Sequence, residues 1–174
     1  MQELIDALKE CGALRFGEFT LASGAVSDYY VDIKLASSDP VVLTLMSRLM
    51  AERLQGEGLE PEAIAGVVLG SIPLATALSL ETGLPLLMVR KERKGHGTGR
   101  LVEGPLSAGT EVLVVEDVVT SAGSALDALA TLREEGAVVD TLLAVIDRES
   151  GGREALQAQG VRLISLLQAS QLRG

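Results

Sequence analysis

The chain has one cysteine, Cys11, one histidine, His96, and no tryptophan in its 174 residues. A lone thiol closes no intramolecular disulfide, and the opening MQELIDALKE lacks the cationic segment and apolar run of a secretory leader, so a reducing, cytoplasmic setting is expected. Positive charge is also scarce: 15 Lys and Arg stand against 24 Asp and Glu, for a net charge of −9. Nucleic acids and anionic membranes are usually read by basic surfaces, so neither is expected as a partner. The sequence shows no internal repeat, low-complexity tract or interdomain linker. Its length suits one domain, residues 1–174, large enough to bury a core without metals or disulfides.

One long hydrophobic run is present. AIAGVVLGSIPLATALSL, Ala63 to Leu80, carries no charge, but Gly70, Ser71 and Pro73 break it into a buried strand and a buried helix rather than a membrane span. Apolar content of 47% agrees with a globular chain. AIAGVVL, LPLLMV, EVLVVE, DTLLAVI and VRLISLL read as strands with little apolar/polar alternation, the pattern of a parallel sheet covered on both faces. Helices are expected at Ile72 to Thr82, Ser121 to Glu135 and Gly152 to Gln159, the last two stopped by Gly136 and Gly160. Asp39 and Pro40 supply a cap and a first-turn proline for another helix through about Leu54. The fold class is α/β, with a doubly wound, mainly parallel sheet. Residues 1–35 read differently: a short helix with Leu4, Ile5, Leu8 and Cys11 on one face, then FGEFTL and DYYVDIK as short extended segments forming a small N-terminal cap. A long irregular segment, about Lys91 to Thr110, is the length at which loops are usually functional.

Chemistry concentrates in VLVVEDVVTSAGSAL, Val112 to Leu126. Glu116 and Asp117 stand together at the expected end of a buried strand, where like charges repel and burial without partners is costly. TSAGS then leads into a helix, whose free N–H groups, with the hydroxyls of Thr120, Ser121 and Ser124, favour an anion; Gly123 admits a close approach. No glycine-lysine pair follows the strand, so this is not a Walker loop, and GHGTG opens no helix, so it is not a dinucleotide fingerprint. Carboxylates ahead of a phosphate loop suit vicinal hydroxyls plus a phosphate, as in a ribose 5-phosphate. Five of the fifteen basic residues, Arg90, Lys91, Arg93, Lys94 and Arg100, fall within RKERKGHGTGR beside His96.

VLVVEDVVTSAGSAL resembles the phosphoribosyl diphosphate (PRPP) signature of type I phosphoribosyltransferases. RKERKGHGTG, IDRESGGREAL and FGEFTLASGAVSDYYVDIK further resemble the orotate phosphoribosyltransferases, over nearly the whole chain. The resemblance implies transfer of phosphoribose from PRPP to orotate with Mg²⁺, held mainly by PRPP without a direct protein ligand, in a homodimer. It implies PRPP binding by Arg90, Lys91, Lys94, His96, Glu116, Asp117, Thr120, Ser121, Ala122, Gly123, Ser124, Gly70 and Ser71, with Lys94, His96 and Asp117 catalytic. Arg148 and Thr120 are implied to meet orotate, Tyr29 and Tyr30 to wall its pocket or to be core aromatics. Residues 91–104 would form a mobile catalytic loop that acts on the partner's site. The chain departs from many relatives where they carry basic residues: Ala22, Ala25, Val26 and Ser71 stand there. A purine or xanthine transferase would share Glu116, Asp117 and TSAGS without needing Arg148. A non-catalytic PRPP-binding regulator would need a nucleic-acid-binding face.

Overall fold

A computed structural model of the protein describes residues 1–20, 26–90 and 101–172. Helix α1 (Gln2–Glu10) buries Leu4 and Leu8 and partly covers Ile5, the face its spacing predicts. Strands β1 (Leu14–Thr20) and β2 (Val26–Val31) pair antiparallel in a two-stranded sheet of their own. DYYVDIK is not extended throughout. The strand stops at Val31, and the Asp32 carboxylate accepts the Leu35 N–H at 3.1 Å to cap a short helix, α2 (Ile33–Ser37). A helix start signalled by one aspartate is easily hidden behind an alternating strand pattern. Asp39 repeats the device for α3 (Pro40–Gly56), accepting from Val41 N at 2.8 Å and Val42 N at 3.2 Å.

From there strands and helices alternate: β3 (Ala63–Val67), α4 (Ile72–Thr82), β4 (Leu86–Val89), β5 (Val102–Glu103), β6 (Val112–Val119), α5 (Gly123–Glu134), β7 (Thr141–Asp147), α6 (Gly152–Ala158), β8 (Arg162–Gln168) and α7 (Ala169–Leu172). The six-stranded sheet has the order β5-β4-β3-β6-β7-β8, parallel except for β5. Two apolar clusters explain why its strands do not alternate apolar with polar. One joins α1 to α4 with Ile64, Leu113, Val115, Leu143 and Val145; the other joins α5 and α6 with Ala65, Val112, Val114, Leu142 and Ala144. The uncharged run from Ala63 to Leu80 is therefore β3 and most of α4. No helix among the described residues is long and apolar enough to cross a membrane.

Several elements differ from the sequence reading. Strand β6 runs on to Val119 because Val118 and Val119 pair with Ile146 and Asp147 of β7. Helix α5 begins at Gly123, not Ser121, since Ala122 is left-handed at φ 64°. The expected irregular segment contains β5, whose two residues carry no periodicity; its first part, 91–100, lies outside the described residues. Helix α7 is too short to announce itself.

Topology places the site. From β3 the chain crosses through α4 to β4 on one side, whereas from β6 it crosses through α5, β7 and α6 toward β8 on the other. The winding therefore reverses between β3 and β6, and at such a switch point the loops leaving the strand ends part to form a crevice for a ligand.

Candidate active site

Glu116 and Asp117 lie within β6, three and two residues short of its end, and strand alternation sends them to opposite faces of the sheet. Their proximity in sequence is therefore not a proximity of charges. Glu116 shares the face of Val114 under α5; it is 7% exposed and lines a cleft of about 280 Å³ with Val118 to Ala125. Asp117 shares the face of Val115, toward α2 and the loop after β3. Its Oδ1 accepts the Val118 N–H at 2.8 Å, and its Oδ2 stands 3.7 Å from Lys34 Nζ.

The turn after β6 supplies the anion cradle. Thr120, Ser121, Gly123 and Ser124 are exposed, and the left-handed Ala122 turns the chain so that α5 starts beside them. The first N–H groups of that helix have no carbonyl partner within it, and the helix dipole adds partial positive charge there. Ser124 and Gly123 also line an adjoining cavity of about 430 Å³ together with Arg90, Asp127 and Thr131. Arg90 thus stands across that cavity from the start of α5, its Nε 3.3 Å from Glu103 Oε1.

The loop after β3 meets Asp117 from the other side. A Cβ on Gly70 would come within 2.7 Å of Asp117 Oδ2, so only a residue without one leaves the carboxylate where it is. Ser71 is fully buried: its Oγ donates to Val67 O at 3.0 Å and accepts Val67 N–H at 2.7 Å. Its hydroxyl ties the loop to β3, and what the loop offers a ligand is backbone.

Arg148 follows β7 directly. Its N–H donates to Val119 O at 2.8 Å, and its guanidinium lies 4.7 Å from the ring centroid of Tyr29, which is 1% exposed. Tyr30, next along β2, is not brought to Arg148: its ring lies 5.6 Å from Phe19 and 5.8 Å from the Arg15 guanidinium. Lys91, Lys94 and His96 of the cationic segment, and Ala22 and Ala25, lie outside the described residues.

Several residues of the site lie inside the quoted motifs but are given no role there. Asp147, 1% exposed, accepts Glu149 N–H at 2.9 Å and Arg153 Nη2 at 2.8 Å, bracing the turn that presents Arg148. Glu149 in turn accepts from Ser170 N at 2.7 Å and Ser170 Oγ at 3.2 Å. A Cβ on Gly152 would meet Thr120 O at 2.5 Å, so the two site loops touch there. Lys34 is the fourth, read in the sequence only as the end of an extended segment. No local pattern signals it, because its partner Asp117 comes from a strand distant in the sequence.

Comparison with known proteins places this geometry. The phosphoribosyl transferase domain family matches residues 38–164. An orotate phosphoribosyltransferase of Methanosarcina acetivorans is 50% identical over 171 residues, 98% of this chain and 90% of the relative. A solved orotate phosphoribosyltransferase of Aeropyrum pernix aligns with a TM-score of 0.85 at 35% identity, covering 97% of this chain and 95% of that one. A solved orotate phosphoribosyltransferase of Mycobacterium tuberculosis H37Rv in complex with PRPP aligns with a TM-score of 0.81 at 33% identity, covering 99% of this chain and 98% of that one.

Proposed function

Since the chain belongs to the orotate phosphoribosyltransferase family, we propose that it transfers the phosphoribosyl group of PRPP to orotate, giving orotidine 5′-phosphate and pyrophosphate in pyrimidine nucleotide biosynthesis. The observation that carries the reading is the gathering, at the carboxyl ends of β3, β6 and β7, of a carboxylate beside a glycine loop, a helix N-terminus, and a guanidinium laid on a buried ring.

Each part has a task in that reaction. The turn from Thr120 to Ser124 holds the 5′-phosphate on helix N–H groups and hydroxyls. Glu116 and Asp117, from opposite faces of β6, accept hydrogen bonds from sugar hydroxyls. The backbone of Gly70 and Ser71, with Arg90 and with Lys91, Lys94 and His96 of the undescribed segment, receives the diphosphate. Arg148 pairs with the orotate carboxylate through its planar fork, against Tyr29 and near Thr120. The bond from C1 of the ribose to the diphosphate breaks with both electrons leaving on oxygen, and a ring nitrogen of orotate bonds to C1 as its N–H proton is lost to the departing diphosphate or to water. Positive charge grows on the sugar and negative charge on the leaving group, so donors fixed around the diphosphate stabilise the transition state more than the bound substrate.

Mg²⁺ belongs to the reading as a companion of PRPP. Among the described residues no group of three His, Cys, Asp or Glu could hold a metal. Bound with PRPP, Mg²⁺ neutralises diphosphate charge. The reading also includes a homodimer in which residues 91–104 of one subunit serve the other's site.

The test is turnover with PRPP and Mg²⁺ on orotate, adenine and xanthine. Orotate should be consumed with release of one pyrophosphate per orotidine 5′-phosphate. Turnover on a purine in place of orotate would move the chain to the purine-type reading, and PRPP binding with no turnover on any base would make it a regulator.

A further inference from the structure

We propose that Lys34 is a diphosphate-side cation of this site, delivered from α2. The inference rests on the PRPP reading above and deepens it.

Lys34 is anchored at its backbone and exposed along its side chain. Asp32 caps α2, and Ile33 and Ala36 on either side are buried in the core, so the backbone is anchored while the side chain of Lys34 is 68% exposed. From that anchor its Nζ reaches to 3.7 Å from Asp117 Oδ2. Its stem also passes over the loop after β3: Cε would be 3.2 Å from a Cβ on Gly70, where the other two nearest atoms belong to Asp117. One ammonium therefore stands at the carboxylate assigned to sugar hydroxyls and at the glycine assigned to the diphosphate.

A purely structural role explains this placement poorly. At 3.7 Å the pair is longer than a hydrogen bond, and with the lysine exposed it contributes little to stability. Asp117 does not need Lys34 for its orientation, because Val118 N–H already fixes Oδ1 at 2.8 Å. The loop, in contrast, does need a charge from elsewhere. Ser71 turns its hydroxyl inward to Val67, so this loop brings backbone donors to an anion and no charge of its own.

The chemistry of the sugar completes the argument. In PRPP the 2-hydroxyl is on the carbon adjacent to C1, which bears the diphosphate. A group beside the carboxylate that takes ribose hydroxyls is consequently beside the first phosphate. When the sugar arrives, Asp117 accepts its hydroxyls and the Lys34 ammonium turns from the carboxylate to the phosphate oxygens. Its flexible stem permits that exchange, and three N–H donors allow it to serve both at once.

Calorimetric titration of wild type, Lys34→Ala and Lys34→Arg with two probes, inorganic pyrophosphate in the presence of Mg²⁺ and ribose 5-phosphate, tests the assignment. Loss of one charge-assisted contact should weaken pyrophosphate binding by about tenfold to a hundredfold in Lys34→Ala, with Lys34→Arg recovering most of it. Ribose 5-phosphate should bind the alanine variant as well as wild type or better, and the thermal midpoint should stay in place. In steady state the KM for PRPP should rise while that for orotate holds. Unchanged pyrophosphate affinity in Lys34→Ala, with ribose 5-phosphate still bound, would overturn the assignment and leave the PRPP reading standing. A lowered midpoint with both probes weakened together would also overturn it, in favour of a structural pair. If wild type itself bound no ribose 5-phosphate, the PRPP reading would be the one to fall.

Discussion

Arg148 and Tyr29 meet at 4.7 Å between guanidinium and ring centroid, joining the end of β7 to the N-terminal hairpin. The ring is buried and the arginine is braced from behind, where Asp147 accepts both Glu149 N–H and Arg153 Nη2. A cation set on an aromatic face is already partly desolvated.

Replacing Arg148 with lysine keeps the charge and removes both the stack and the fork. The KM for orotate should therefore rise about tenfold to a hundredfold in Arg148→Lys, and at least as much in Arg148→Ala, for the loss of ~1.5–3 kcal/mol on the base side alone. The KM for PRPP should not follow. Equal rises in both constants would show that the guanidinium does not act on the base side alone.

Asp117→Asn should leave the fold untouched, because the remaining side-chain oxygen can still accept the Val118 N–H that Oδ1 accepts at 2.8 Å in the wild type. The other oxygen becomes a donor facing the Lys34 ammonium and the sugar hydroxyls. Turnover with PRPP should fall by ~10²–10³, the usual scale for removing one group that stabilises developing charge. Unimpaired kcat/KM for PRPP in this variant would remove Asp117 from the site.

Gly152→Ala should damage stability and activity together. The added carbon would sit 2.5 Å from Thr120 O and 2.6 Å from Val119 Cγ1, and the first of these is backbone that cannot swing aside. Overpacking of that kind costs ~1–3 kcal/mol, or about 2–12 °C in melting temperature for a domain of this size. Because the collision pushes apart the loops bearing Thr120 and Arg148, the KM values for PRPP and orotate should both rise. Gly70→Ala makes a useful contrast: its 2.7 Å contact is to the end of the Asp117 side chain, so PRPP use should drop with little change in melting.

Residue pattern revealed the sheet and most of the cradle because those depend on local rules. Buried parallel strands read as unbroken apolar runs, Asp39 with Pro40 spells a helix start, and TSAGS spells a phosphate turn. What stayed hidden depends on contacts far apart in sequence. That Tyr29 reaches Arg148 while Tyr30 turns to Phe19 follows from which face of the hairpin meets the sheet end. The separation of Glu116 from Asp117 was in principle readable from strand alternation, but only once β6 was known to continue to Val119, which its pairing with β7 decides. Lys34 and Asp117 are 83 positions apart in the chain, and nothing local to either names the other.

The last prediction concerns the cationic segment and whose site it serves. In a twofold dimer a segment from one subunit can close the neighbour's pocket without a long excursion of its own chain. Two variants separate the arrangements: Lys94→Ala with His96→Ala in the segment, and Asp117→Asn in the sugar site. Each alone should lose ~10²–10³ in turnover, low enough for recovery to be read against it. If the segment acts on the neighbour, a mixed dimer has one site with both an intact segment and an intact Asp117, and another with neither. Random exchange of equal amounts makes half the dimers mixed, so about a quarter of wild-type activity should return, rising and falling with the product of the two subunit fractions. If the segment acts on its own subunit, every site in every dimer keeps one defect, and mixing in any proportion restores nothing.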